Sequence, residues 1–264
     1  MRRAAVIVPF PFDEEGLDYR SAEMAQVELS PDITFDYKPL RAGVKHFLGR
    51  HDEMLIEFAI WEAGIAAAEE GYDAITVNTL SDSGVAELRA VLDIPVVSNG
   101  KASFLYALTL GTRFSVIVQT DPDYPQYTDA GLAFYKNLMK KFEVSQFCTS
   151  IELFEAKSNM RELFTGREDE VFPKMKVACE NGLAKGADVI ILGSTTLSQA
   201  GPYLSENLPV PVVNPGPLAL KMVETVLGLG HSHSSIAHPK PAVIRTKMIS
   251  AMLDAARDHQ DADD

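Results

Sequence analysis

The sequence predicts an α/β fold of two pseudo-symmetric half-domains, each a mostly parallel sheet flanked by helices. Three observations carry this. First, residues 71–81 (Gly-Tyr-Asp-Ala-Ile-Thr-Val-Asn-Thr-Leu-Ser) share a register with residues 186–196 (Gly-Ala-Asp-Val-Ile-Ile-Leu-Gly-Ser-Thr-Thr): glycine, aspartate, a short β-type run, then a hydroxyl residue. Thr79 and Ser194 are the paired positions. Second, residues 94–99 (Ile-Pro-Val-Val-Ser-Asn) match residues 210–215 (Val-Pro-Val-Val-Asn-Pro), and each copy then enters a helical pattern ending in Leu-Gly. Third, strands and helices alternate with short loops, the mark of parallel sheets.

Taken in order, residues 4–10 form a near-continuous apolar run stopped by Pro9-Phe10-Pro11, which suits a buried first strand. Residues 13–29 carry a weak helical pattern. Residues 33–38 alternate like an edge strand, closed by Pro39. A loop over 41–53 leads into a helix over 54–70, with Leu55, Phe58, Ala59, Trp61 and Ile65 at helical spacing and Asp52 as N-cap or first-turn acid. In the first repeat, helices are expected over 83–91 and 99–110.

Residues 114–119 open the second half as residues 4–10 open the first. A loop over 120–125 and a helix to about Lys141 follow, then a strand over 145–154 and a polar, mobile loop or insertion over 157–168. A helix over 169–184, with Pro173 near its start, leads into the second repeat. A closing helix spans 244–257, and 259–264 form a frayed acidic end. The first half-domain is thus expected over 1–112 with about 214–264, the second over 113–213. Ligands of such sheets sit at the carboxyl ends of the strands, where Thr79, Thr120, Ser194, Pro9 and Phe10 fall. A site at the interface of the halves would draw one hydroxyl from each.

Composition narrows the function classes. The 264 residues carry 24 basic against 37 acidic side chains, net −13, which opposes nucleic-acid and anionic-membrane partners. Two cysteines, Cys148 and Cys179, make neither a disulfide framework nor a four-ligand zinc site. The N-terminal apolar run is too short for a signal peptide and no 18-residue apolar span occurs, so a cytoplasmic protein is expected. His231, His233 and His238 form a His-x-His cluster without further ligands at suitable spacing, so no metal is assigned.

The paired half-domains, the Gly-x-Asp-led strands ending at Thr79 and Ser194, Asp82-Ser83-Gly84, Ile94-Pro95-Val96-Val97, Pro211-Val212-Val213-Asn214-Pro215 and Leu229-Gly230-His231-Ser232 together resemble the aspartate/glutamate/hydantoin racemase superfamily, hydantoin racemases above all. The resemblance covers roughly residues 4–239. It implies a cofactor-independent, racemase-like isomerase in which two cysteines face each other across the substrate and move the α-proton. It further implies a homo-oligomer, since members are often dimers.

Aligned on this chain, the two cysteines would stand at Thr79 and Ser194, and neither is cysteine. A thiol with pKa about 8.5 supplies thiolate near neutral pH and an alcohol does not, so the two-base role does not carry over. The first-strand end also departs from the family's polar Asn-Pro-Asn-Thr type, placing Phe10 there.

Resemblance to the superfamily's arylmalonate decarboxylases, which hold a carboxylate in such a cradle, makes Thr79, Leu80 and Ser81 in one half and Ser194, Thr195 and Thr196 in the other the expected donors, Leu80 and Thr195 through backbone amides. For Thr79 and Ser194, helix N-capping and ligand contact both stand as readings. Asp82 is a candidate acid/base group or a helix N-terminal acid. Tyr124 or Tyr127, Thr120, and Arg50 with His51 complete the candidates.

The substrate is expected to be a small carboxylate or cyclic amide. Beside racemisation stand decarboxylase, lyase or hydrolase chemistry on the same scaffold, and non-catalytic carboxylate binding.

Overall fold

The computed structural model describes residues 1–44, 50–125, 127–157 and 168–259; the side chains of Arg50 and Tyr127 also lie outside the described residues. The expected mobile loop over 157–168 falls almost wholly outside them. The chain divides into two units, Met1–Asn99 with Ala219–Asp264, and Gly100–Leu218, each described here by itself.

In the first unit β1 (Arg2–Val8) pairs in parallel with β2 (Ile33–Pro39) on one side and β3 (Ala74–Val77) on the other, and β4 (Val96–Val97) joins β3, giving the order β2-β1-β3-β4. Ala4 to Val8 are fully buried, which is why the central strand reads as an unbroken apolar run. Helix α1 (Glu14–Ser21), capped by the Asp13 carboxylate on Gly16 N–H, is followed by a 3₁₀ turn and connects β1 to β2. Helix α2 (Arg50–Glu69) leads into β3, and α3 (Val85–Val91) into β4.

Helix α2 buries Ile56, Ala59, Ile60 and Ile65, whereas Leu55 and Phe58, expected on its apolar stripe, lie on the exposed side. The helix is apolar over most of its circumference, so spacing alone fits two stripes. Asp52 lies buried in the first turn, with His51 Nε2 2.9 Å from its Oδ1.

The second unit repeats the plan. After α4 (Gly100–Leu110), β5 (Phe114–Thr120) pairs in parallel with β6 (Cys148–Glu155) and β7 (Val189–Leu192), and β8 (Val212–Val213) joins β7, in the order β6-β5-β7-β8. The connections are α5 (Tyr127–Lys141), α6 (Glu168–Ala184), and a 3₁₀ turn with α7 (Gly201–Asn207). The chain then runs through α8 (Pro215–Leu229) to α9 (Thr246–Arg257).

The units differ from the expected half-domains at their edges. Helix α4, which follows β4, packs on β7 and β8 and places buried Phe104 5.4 Å from Phe114, ring to ring. Helix α8 contributes Val223 to the cluster of Ala4, Ala74 and Val97. The helix after the last strand of each sheet thus serves the core of the other unit; the expected half-domains place α8 with the first unit but leave α4 there as well, whereas α4 lies in the second.

The Gly-x-Asp motif has the same job in both units. Gly71 (φ +83°) and Gly186 (φ +93°) end the preceding helices in the left-handed region. The Asp73 carboxylate then accepts Arg3 N–H at 2.7 Å, and the Asp188 carboxylate accepts Arg113 N–H at 2.8 Å and the Thr112 hydroxyl at 2.6 Å. The Thr112 hydroxyl, then the Arg113 and Thr112 amides, hold the Asp188 pKa below its ordinary value. A depressed carboxylate pKa stabilises the fold above the unfolded value of about 3.9, and that contribution is lost as pH falls through the lower folded value. Asp188→Asn should therefore lower the Tm at pH 7 by about 2–4 °C, with the gap to wild type closing below about pH 4; thermal melts across pH check this.

Candidate functional site

Both hydroxyl residues sit where a short, fully buried strand leaves its sheet. Asn78 and Gly193 continue the ladders, donating N–H to Ile7 O and Ile117 O, each at 2.8 Å. Thr79 and Ser194 come next, both half-buried.

The two loops then make the same bonds. In the first unit Ser81 N–H donates to Thr79 Oγ1 at 3.3 Å, and the Thr79 and Ser81 hydroxyls lie 2.9 Å apart. In the second, Thr196 N–H donates to Ser194 Oγ at 3.2 Å, and the two hydroxyls lie 2.8 Å apart. Ser194 caps the 3₁₀ turn Thr195–Ala200 through that bond, so the capping reading holds there. The first loop extends one step further: the Ser81 hydroxyl lies 2.7 Å from that of buried Ser83 and accepts Ser83 N–H.

A second likeness lies behind the loops. Arg20, on α1, donates from Nη2 to Asn78 O at 3.3 Å and to Asn78 Oδ1. Asn78 Nδ2 donates to Glu23 Oε1 at 2.6 Å, and the Tyr37 hydroxyl donates to the same oxygen at 2.7 Å. Arg20, Glu23 and Asn78 are all buried, and burial lowers the guanidinium pKa while the nearby Glu23 charge opposes that. In the second unit the Tyr135 hydroxyl, on α5, donates to Gly193 O at 2.6 Å. Burial pushes the phenol pKa up, so it stays a donor. Glycine is required at 193, because a Cβ there would lie 2.6 Å from Ile117 O.

The remaining candidates are distributed as follows. Leu80 and Thr195 are buried. Asp82 is buried at φ +54° and accepts the Ser98 hydroxyl; burial lowers the Arg89 pKa, and the Asp82 charge opposes that. Phe10 is buried and stacked on Phe12, with centroids 5.7 Å apart, and its carbonyl accepts Leu40 N–H at 3.1 Å. Thr120 occupies the equivalent place, its carbonyl accepting Ala156 N–H at 3.0 Å and its hydroxyl donating to Phe154 O at 3.3 Å. Tyr124 is exposed on the following loop.

The side chain of Arg50 lies outside the described residues. His233 lies with Nε2 3.1 Å from Leu92 O, at the corner before β4. Cys148 opens β6 opposite Phe114, at the far end of the strands from Ser194, and burial raises its pKa. Cys179 is buried in α6 with its pKa pushed up to about 12.

Sequence reading therefore found both hydroxyl loops and missed what holds them. Arg20 and Tyr135 carry no local signature; the only hint was polar Asn78 directly after an apolar run, where a buried side chain needs buried partners.

With this geometry in place, the comparisons are direct. The sequence pattern described as Asp/Glu/Hydantoin racemase matches residues 49–223, both loops included. A hydantoin racemase of Rhizobium meliloti is 27% identical over 177 residues, covering 65% of this chain and 68% of that protein. The structure of allantoin racemase from Klebsiella pneumoniae superposes with a TM-score of 0.80 at 25% identity, covering 95% of this chain and 98% of that one. Allantoin racemase from Pseudomonas fluorescens gives 0.79 at 20% identity over 92% and 98%, a likeness of fold. The chain belongs to the Asp/Glu/hydantoin racemase family.

Proposed function

We propose that this family member is an isomerase that interconverts the mirror forms of a small cyclic amide, of the hydantoin or allantoin kind, at the carbon next to a carbonyl. The observation that carries the reading is the duplicated hydroxyl loop within the family-matched stretch. Thr79 and Ser194 are assigned to the substrate, with Ser81, Thr196 and the Leu80 and Thr195 amides in support.

The bonding within the loops defines the chemistry. Thr79 Oγ1 accepts the Ser81 amide; when the Ser81 hydroxyl also donates to it, both its lone pairs are used and its own proton points to a ligand. The chain of donors then runs from Ser83 to Ser81 to Thr79, each bond strengthening the next. Ser194 stands in the same relation to Thr196. Both hydroxyls act as donors and neither as a base. Removing a proton next to a carbonyl builds negative charge on its oxygen, and donors fixed in advance around that oxygen lower the barrier. They also hold a carboxylate, which keeps carboxylate substrates within the reading.

In deuterated water the purified protein should exchange the α-proton of a hydantoin or of allantoin while its optical rotation decays; absence of exchange across hydantoins, allantoin, aspartate and glutamate would overturn the reading. Thr79→Ala and Ser194→Ala should each lower kcat/KM by about 10²-fold, the cost of one such donor.

The thiols give a separate check. Iodoacetamide at pH 7.5 should leave Cys179 unmodified and turnover unchanged. The double variant Thr79→Cys and Ser194→Cys should acquire both iodoacetamide sensitivity and a turnover that rises with pH toward about 8.5.

A further inference from the structure

Two side chains of different chemistry reach the same backbone atom in the two units. The residue directly before each hydroxyl residue is Asn78 in one unit and Gly193 in the other, and the carbonyl of each accepts a hydrogen bond from the helix that follows the unit's central strand: Arg20 Nη2 from α1 at 3.3 Å, the Tyr135 hydroxyl from α5 at 2.6 Å. Each carbonyl lies one residue past its strand, since β3 ends at Val77 and β7 at Leu192.

The bonded carbonyl belongs to the peptide plane that also holds the amide nitrogen of Thr79 or Ser194. Fixing that oxygen fixes the plane, and with it the Cα from which the hydroxyl hangs. A side chain hung from an unfixed peptide swings by an ångström or more, and misplacement of that size costs a positioned group about 10²-fold in rate.

We propose that Arg20 and Tyr135 are paired positioning residues, each holding the peptide that aims one hydroxyl of the site, a guanidinium in one unit and a phenol in the other. The proposal rests on the assignment of Thr79 and Ser194 to the substrate. Neither residue touches substrate; each acts through the hydroxyl residue beyond it. The supports are unequal. Arg20 brings a buried charge, so its unit carries Glu23 beside it, and Glu23 in turn binds the Asn78 side chain and Tyr37. Tyr135 is neutral, and its carbonyl partner is a glycine that lets the chain pass within contact of Ile117 O. Arg20 cannot be replaced alone without leaving Glu23 buried opposite an apolar group, whereas Tyr135 can lose its hydroxyl with its ring kept.

The test uses the full chain in two arms. Hydrogen–deuterium exchange of the ligand-free protein is followed by peptide for Tyr135→Phe and for the double variant Arg20→Met with Glu23→Gln, with Arg20→Lys as a milder partner. Tyr135→Phe should speed exchange about tenfold over residues 193–197 and leave residues 78–83 as in wild type; the Arg20 variants should do the reverse. Acceleration spread evenly over a whole unit, or none in either loop, overturns the proposal.

The second arm measures α-proton exchange of the hydantoin probe. Tyr135→Phe should lower kcat about 10-fold or more with KM little changed, yet add less than about 2-fold to Ser194→Ala, because its effect passes through Ser194. An equal loss in both backgrounds marks a merely structural tyrosine and overturns its positioning role. A wild-type protein without turnover defeats the substrate assignment alone, and the exchange arm still decides whether the two side chains hold the loops.

Discussion

Four residues of β3, Ala74 to Val77, are buried to 1% exposure or less between β1 and β4, and four residues of β7, Val189 to Leu192, are buried completely between β5 and β8. Each strand is short, so its parallel register is held by burial and not by length. Slipping either by one residue would turn every side chain to the opposite face. Fully burying an aliphatic side chain is worth about 1.5–3 kcal/mol, against a net stability of about 5–15 kcal/mol for a whole protein. The register is therefore fixed, and so is the point where the chain leaves the sheet. Thr79 and Ser194 inherit their place from that constraint, as do the bonds that Asn78 and Gly193 send back to Ile7 and Ile117.

The likeness of the two units is one of backbone more than of side chains. Phe10 and Thr120 occupy matching places, and their carbonyls make the same bond across to Leu40 and Ala156. One side chain is nevertheless buried in an aromatic stack and the other is a hydroxyl tied to the neighbouring strand. Asn78 and Gly193 diverge in the same way. A backbone bond asks only for geometry, which many side chains permit; what surrounds it is free to change as long as buried polar atoms keep partners. A guanidinium in one unit thus came with a carboxylate, an amide and a phenol, where the other unit uses a single tyrosine.

Most of the fold was legible because its signals are local. The apolar runs at Ala4, Phe114 and Val189, the Gly-x-Asp starts and the hydroxyl endings each announce themselves within a few residues. The aspartates before β3 and β7, Asp73 and Asp188, even carry their reason in the chain, since the amides of Arg3 and Arg113 need an acceptor as their strands begin. Non-local facts were not legible. That α4 serves the core of the second unit depends on which sheet Phe104 reaches, and both choices satisfy the same apolar pattern. Arg20 belongs to a helix with little apolar patterning, and its meaning rests on Asn78, 58 residues away. Leu55 and Phe58 showed the opposite failure: a helix apolar nearly all round offers a period without saying which face is inside.

The chemistry of the site follows from what the chain does with its thiols. Burial pushes the Cys179 thiol up to about 12, which keeps it protonated at neutral pH. Cys148 stands at the wrong end of its strand to reach the Ser194 loop. The groups at the strand ends are instead alcohols, each accepting the amide two residues on and sharing a hydrogen bond with the hydroxyl of that residue. Such a hydroxyl gains acidity and loses basicity, because each donated bond draws electron density from its oxygen. A group of this kind is suited to an oxygen that becomes more negative during reaction, and unsuited to accepting a proton. In the proposed reaction, stabilising such an oxygen would lower the pKa of the carbon acid itself, so the strength demanded of a base would fall with every donor held in place, and the rigidity of each loop would become part of the acid–base chemistry.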